Sequence, residues 1–374
     1  MKKTKIYAAY LPQFHETEDN NKFWGKGFTD WVGVKKSEPL FIGHHQPKAP
    51  LNGYYYDLSK VDALKWQAEL ARKYNIDGFN IYHYWFKNGH KTLQTPAENL
   101  LKHPEIDIGF FFSWDNTSWV RSWGNISGNA WAPSFDGKKQ NSPVTLLEFS
   151  YGNEKDWKDH FDYLLPFFED ERYLKIDNKP VFALMRTSED ETLKNMHDYW
   201  NAEAIRAGFA GITMLTNVKM FGNYSLLDGQ FTYEPRYSAW GKREALDVRL
   251  DKYLHIKKKK QGYRYDYEQV WKRIIKNAKC NRNKNIMFGA TVGFDDTPRR
   301  GKKARILINA SANLFEKYFS QLYRISCQNN KELLFLTAWN EWGEGACLEP
   351  DTENGYAYLE ALKQAVESVD AENV

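Results

Sequence analysis

Cysteine is nearly absent from this 374-residue chain: Cys280, Cys327 and Cys347 are odd in number and widely spaced. They fit neither a disulfide framework nor a metal-ligand pattern, and they point to a reducing compartment. No apolar run approaches the roughly 18 residues that a membrane-spanning helix requires, so a soluble, globular chain is expected. Charge of one sign is also lacking. Lys and Arg total 52 against 48 for Asp and Glu, too small a surplus for a nucleic-acid-sized field, and nucleic acid is not an expected partner. The one dense basic run, Lys257 to Lys260, reads as a solvated face or loop, with contact to a phosphate or anionic lipid surface as the alternative. Met1 to Thr4 resembles a signal n-region, but Pro12 and Gln13 interrupt the chain before an apolar segment develops. No secretion signal is read, and the cytoplasm is the expected location. Finally, no G-x-G-x-x-G opens a helix after the first strand, and H-E-x-x-H, clustered Cys/His and G-x-S-x-G are all missing. Dinucleotide, zinc and serine-nucleophile chemistry therefore have no support, and neither cofactor nor metal is expected.

What the chain has is aromatic side chains: 14 Trp, 23 Tyr and 23 Phe, 16% of all residues. Many lie in short apolar, β-branched or aromatic runs that read as strands, namely Lys5–Tyr10, Gly78–Tyr82, Ile108–Trp114, Pro180–Met185, Gly211–Thr216, Gly229–Thr232, Ile286–Thr291 and Leu333–Trp339. Between them, apolar residues near the 3.6 period predict helices over Val61–Tyr74, Asp156–Glu169, Glu189–Ala207, Tyr267–Lys279, Ala312–Gln328 and Tyr356–Val369. Eight alternating units at this length favour a closed (β/α)8 TIM-type barrel over an open doubly wound sheet. With no linker or internal repeat visible, residues 1–374 read as one catalytic domain. Two strand-to-helix connections are long, Trp114 to Tyr151 and Tyr233 to Arg264. In a barrel such connections build the active site at the C-terminal face.

The presumed strand ends are where chemistry is expected. The first leads to Gln13-Phe14-His15, the second to Tyr82-His83-Tyr84-Trp85, and the third to Ser113-Trp114-Asp115-Asn116 with Trp119, Arg121 and Trp123 behind it. The seventh leads to Asp295-Asp296-Thr297-Pro298-Arg299 and the eighth to Trp339-Asn340-Glu341-Trp342-Gly343-Glu344-Gly345. Flat rings beside amides and carboxylates suit a sugar, whose C–H faces stack on aromatics while its hydroxyls need fixed polar partners; the alternative is that the rings simply fill the core. Glu341 and Glu344, three residues apart among glycines, can stand side by side on a sharp turn. Glycoside chemistry needs such a pair, with a separation of roughly 5–5.5 Å for retention and about 6.5–9.5 Å for inversion. The competing reading is a surface turn, or a glutamate paired with an arginine such as Arg121 or Arg299. Asp295-Asp296 reads as a metal or hydroxyl ligand or as a plain turn. His15, His44, His45 and His83 are candidates for the barrel mouth, with a loop role equally open for His44 and His45.

Taken in order, Tyr10-Leu11-Pro12-Gln13-Phe14-His15, Phe23-Trp24-Gly25 through Trp31, Pro39-Leu40-Phe41 with Gly43-His44 and Gln46-Pro47, Gly78-Phe79 through Trp85-Phe86, Gly293 through Arg299, and Trp339 through Gly345 with Leu348-Glu349-Pro350-Asp351 form one series. It resembles the WbsX-type glycosyltransferases, which are similar to glycoside hydrolase family 99, the endo-α-mannanase and endomannosidase type. The resemblance runs from about Ile6 to Leu359. It implies a (β/α)8 barrel acting on glycosides with retention, with Glu341 as the base that removes the sugar 2-hydroxyl proton and Glu344 as the acid/base. Gln13, His15, Trp24, Tyr82, His83, Tyr84, Trp85, Trp114, Asn116, Trp119, Arg121, Asp295, Arg299, Asn340 and Trp342 are the expected substrate-binding residues. Two motifs depart from the family pattern. Thr117 stands where an acid is usual, with Asp115 gained nearby, and Phe294 and Asp296 replace Trp and Asn.

These readings lead to a cytoplasmic transferase in cell-surface polysaccharide assembly, O-antigen or capsule, with an oligosaccharide or lipid-linked glycan as partner. Lys257 to Lys260 would then make a peripheral contact with the inner face of the membrane. A retaining endo-α-mannosidase-like hydrolase and an inactive carbohydrate-binding barrel are the alternatives.

Overall fold

The structure is a computed structural model, and it describes residues 3–121, 144–186, 191–218, 227–241, 253, 261–281, 283 and 285–372. Trp123 and Lys257 to Lys260 lie outside the described residues, as does the side chain of Arg121.

Eight strands form the barrel: β1 (Lys5–Tyr10), β2 (Gly78–His83), β3 (Gly109–Trp114), β4 (Lys179–Leu184), β5 (Thr213–Asn217), β6 (Gly229–Phe231), β7 (Ile286–Thr291) and β8 (Leu333–Thr337). Each pairs in parallel with the next, and β8 closes on β1 through Lys5↔Leu333 to Ala8↔Leu336. All eight fall on the segments expected from the sequence. Buried on both faces, parallel strands become continuous apolar runs bounded by turns, a strong sequence signal.

Aromatics plug the lower barrel. The Tyr7 ring occupies space that side chains at Gly78 and Gly109 would need: a Cβ at Gly78 would sit 2.3 Å from that ring. Phe111 packs edge-on to Tyr7 at 5.2 Å and to Phe335 at 5.7 Å, and Phe335 stacks on Phe231 at 4.3 Å. Above this layer Asn80, Ser113, Thr291 and Thr337 are buried polar residues, so the interior turns polar toward the strand ends.

The longer helices bury apolar stripes against the barrel: α3 (Val61–Lys73), α5 (Glu154–Glu169), α6 (Glu191–Arg206), α7 (Tyr267–Cys280), α8 (Ala312–Gln328) and α9 (Ala357–Ala371). Their starts are set by side-chain caps where the sequence supplies one, with Asn153, Asp266 and Ser311 accepting from first-turn amides of α5, α7 and α8. Three shorter helices, α1 (Glu18–Trp24), α2 (Asp30–Lys35) and α4 (Thr95–Lys102), were not expected. The first two lie in the connection between β1 and α3. Among the described residues, no helix is long and apolar enough to cross a membrane.

Candidate active site

The chain leaves β8 into a tight hairpin. Asn340 pairs with Cys347 and Glu341 with Ala346, while Trp342–Glu344 makes a single helical turn and Gly345 takes the left-handed conformation at φ 56°. A Cβ at Gly345 would lie 2.9 Å from the Asp295 Cβ, so both conformation and space demand glycine. Asn340 fastens the hairpin to the end of β1: its Oδ1 accepts from Leu11 N at 2.7 Å and its Nδ2 donates to Leu11 O at 3.0 Å. The Trp342 indole, wholly buried, donates to Glu349 Oε2 at 2.6 Å. The structure thus commits Asn340 and Trp342 to holding the turn.

Glu341 and Glu344 meet on one guanidinium. Arg299 Nη1 donates to Glu344 Oε1 at 2.8 Å and Nη2 to Glu341 Oε2 at 3.1 Å, and Nη2 also reaches Asp30 Oδ2 at 3.3 Å. The arginine pairing that the sequence left open is therefore present, and it involves both glutamates. It does not neutralise them, because three carboxyls face one cation. Burial pushes the Glu341 carboxyl well above the ordinary glutamate range, Arg299 pulls it down, and Glu344 and Asp30 push it up again. Arg299 is held charged; burial opposes this, but Asp30, Glu341 and Glu344 outweigh it. Glu344 keeps 20% of its side chain exposed, against 3% for Glu341. It is the member of the pair open to a substrate.

Gly343 lets this cluster close. A Cβ there would come within 2.6 Å of Asp30 Oδ2 and 2.7 Å of Arg299 Nε. Gly343→Ala should therefore displace the guanidinium, at a cost of about 1–3 kcal/mol from overpacking, with a loss of activity exceeding the loss of folded protein. Thermal melts run beside the activity assay check this.

Facing the pair is a wall of hydroxyls. Tyr82 and Tyr233 share a hydrogen bond of 2.8 Å. Burial raises both phenols, and the charges of Glu341 and Glu344 raise them further. Tyr84 is raised by burial first, then by Asp115 and Glu341, so it stands between the third and eighth strand ends. Trp119 packs edge-on to Tyr84 at 5.6 Å. Burial also raises Asp115, whose Oδ1 accepts from Thr117 Oγ1 at 2.9 Å.

The seventh strand end braces the hairpin. Asp295 N donates to Glu344 O at 2.6 Å, and the Asp295 carboxylate accepts from His44 Nε2 at 2.7 Å, Gln46 Nε2 at 2.6 Å and Thr297 Oγ1 at 2.5 Å. Burial would raise Asp295, but these bonds, His44 first, hold it below the usual carboxylate range. His44 Nδ1 accepts from Leu40 N at 3.0 Å, which leaves the Nε2 proton for Asp295. Asp296 turns away to Arg300 at 2.7 Å. Among the described residues, no group of three His, Cys, Asp or Glu stands in a metal-binding arrangement.

Other expected site residues are placed elsewhere. Tyr82 faces the carboxylates, so side-chain alternation sends its neighbour His83 outward to α5, where His83 Nε2 meets His160 Nε2 at 2.8 Å. Burial lowers His83 to about 3, and the pair is neutral. Trp85 stacks on His160 at 4.3 Å, and Trp114 donates to Trp85 O at 3.0 Å. Asn116 spends its amide on Arg186 N and O and on the Tyr151 hydroxyl. These four brace the layer behind the site. Gln13 O accepts from Asp30 N at 3.0 Å, so Gln13 positions Asp30 through its backbone. His15 is buried in the β1 connection, and Trp24 is half-buried in α1 against Phe28 at 6.0 Å. Asp30 and Tyr233 are the site residues that sequence reasoning missed.

A closed (β/α)8 barrel with buried acids, an arginine and phenols at its C-terminal face defines the class of the protein. The family described as glycosyltransferase WbsX matches residues 6–362, and the chain belongs to it. That membership and the fold place it among carbohydrate-active enzymes. The protein WxcX of Xanthomonas campestris pv. campestris, in two strains, is 26% identical over 369 residues, covering 96% of this chain and 49% of its own. The chain thus spans about half the length of the curated relatives it matches. Among solved structures, the GH99 endo-α-mannosidase from Bacteroides thetaiotaomicron has the same fold at a TM-score of 0.57 and 13% identity, over 98% of both chains. A protein described as glycoside hydrolase-like follows at 0.53 and 13%, over 98% of this chain and 94% of its own.

Proposed function

We propose that this chain is a retaining glycosyltransferase of cell-surface polysaccharide assembly, with Glu341 and Glu344 as its catalytic acids. The observation that carries the reading is the placement of both glutamates on one guanidinium, with Glu341 raised and Glu344 reachable. A base works best when its pKa lies near the working pH, so an elevated Glu341, once deprotonated, is suited to take the proton of the sugar 2-hydroxyl as that oxygen bonds to the anomeric carbon and the bond to the leaving oxygen breaks. Glu344, on the open side, protonates the departing glycosidic oxygen. Arg299 keeps the two carboxyls adjacent, and the Tyr82–Tyr233 hydroxyls supply partners for the sugar. Three free cysteines, Cys280, Cys327 and Cys347, support a reducing, cytoplasmic setting.

The second reading, a retaining endo-α-mannosidase-like hydrolase, is favoured by the shared fold with an enzyme of that activity over almost the whole of both chains. Two assays separate them: oligosaccharide or lipid-linked acceptor with activated sugar, and α-mannan alone. Oligosaccharide released from mannan without any transfer product would sink the transferase reading.

The acid cluster also sets the pH dependence. Because Glu341 must lose its proton to act as base, kcat/KM should rise with pH along a limb placed well above that of a free glutamate. A flat profile from pH 5 to 9, the span of roughly two units either side of neutrality where such a limb must fall, would contradict this role.

A further inference from the structure

A concave surface lies beside the Asn340–Cys347 hairpin. The loop after β1 and the segment from Glu349 to Tyr356 enclose a groove of about 390 Å³, within the range of roughly 300–1,000 Å³ usual for small-molecule sites. Its walls are aromatic. Tyr54 is 43% exposed, Tyr356 is 38% exposed, and half-buried Trp66 meets Tyr54 edge-on at 5.1 Å. The floor is Trp342 with the Glu349 carboxyl and Tyr56.

The groove is already formed. Leu51 N donates to Pro350 O at 2.9 Å and Thr352 N to Ala49 O at 3.0 Å, tying one wall to the other. Glu349 accepts from Tyr56 at 2.8 Å, Gln67 at 2.6 Å and Trp342 at 2.6 Å, which fixes the floor. Burial raises its carboxyl to about 7. Exposed rings held in place on a rigid rim lose little entropy when a ligand covers them.

We infer that this groove is a second saccharide-binding site, separate from the Glu341–Glu344 cleft. A pyranose has an apolar C–H face for Tyr54, Trp66 and Tyr356, and hydroxyls for the exposed phenols of Tyr54 and Tyr356 at the rim. Trp342, which follows Glu341 in the turn, lines the groove, so a glycan held here would lie beside that turn. The choice of a sugar rests on the chain's being carbohydrate-active and does not depend on how the glutamates act.

Saturation-transfer NMR on the whole chain tests this, with methyl α-mannoside, methyl α-rhamnoside and methyl β-N-acetylglucosaminide as probes. It is repeated on Tyr54→Ala, Trp66→Ala and Glu344→Gln. Tyr54 is the primary variant, because its ring is largely exposed and its removal spares the fold. The expected result is saturation of at least one glycoside, roughly fivefold or more weaker in Tyr54→Ala, weaker also in Trp66→Ala, and unchanged in Glu344→Gln. A signal unchanged in Tyr54→Ala, or none with any probe, overturns the groove and leaves the proposed reaction standing. Groove binding in a chain that turns over no glycoside would sink the reaction and keep the groove.

Discussion

Glu344→Gln should lower turnover by roughly 10²-fold or more while leaving the melting temperature nearly unchanged. The amide is isosteric, and its oxygen can still accept from Arg299 Nη1, which now lies 2.8 Å from Glu344 Oε1. What is lost is the proton that a departing glycosidic oxygen needs. The defect should therefore depend on the leaving group: large for a donor whose leaving group is the oxygen of another sugar, and much smaller for a glycosyl fluoride, which leaves without protonation. Glu341→Gln should lose activity with both, because its proposed proton comes from the sugar itself and not from the leaving group. An inactive binding barrel predicts no change in any variant. Equal defects of Glu344→Gln on both donors would remove Glu344 from the acid role.

Much of this could be read from the chain because barrel strands and helices advertise themselves. A strand buried on both faces must be apolar throughout, and an amphipathic helix of 13 to 17 residues, such as α3 or α8, repeats its stripe several times. By contrast, α1 and α2 have 7 and 6 residues, too short for any period to show. Asp30 was missed with them. Tyr233 follows β6, whose three residues give the weakest strand signal of the eight. The misplacement of His83 and Trp114 has another cause. In strands apolar on both faces, hydrophobicity cannot say which side chain points inward. Only parity with a known inward residue, such as Tyr82, can decide it. The Glu341–Glu344 turn was legible because glycines flank it, and Gly343 and Gly345 are positions where the structure has no room for a side chain. Arg299 was legible only as a candidate, since its double role depends on a loop meeting a hairpin 42 residues further along the chain.

Arg299→Met should be the most destabilising single change at this site, costing about 3–5 kcal/mol near neutral pH. Methionine fills much of the volume, so little of the loss is a cavity. The loss comes from removing the cation that Asp30, Glu341 and Glu344 share in a space where the arginine side chain is 6% exposed. Asp30 and Glu341 are buried, and each would be left as an uncompensated charge. The pH dependence separates this from lost packing. A carboxyl whose folded pKa is raised contributes stability that is fully present below its unfolded pKa and is lost as pH rises through the folded one. Glu341 is already raised in the intact protein, and without Arg299 it rises further. The deficit of Arg299→Met should therefore be largest at alkaline pH and shrink as Glu341 takes up its proton toward the ordinary glutamate range. Denaturant melts of both proteins across pH 5 to 9, a span that brackets the shifted carboxyls by roughly two units on each side of neutrality, measure it. A deficit independent of pH would mean that Arg299 stabilises the barrel by packing, and that the two glutamates do not depend on its charge to stand together.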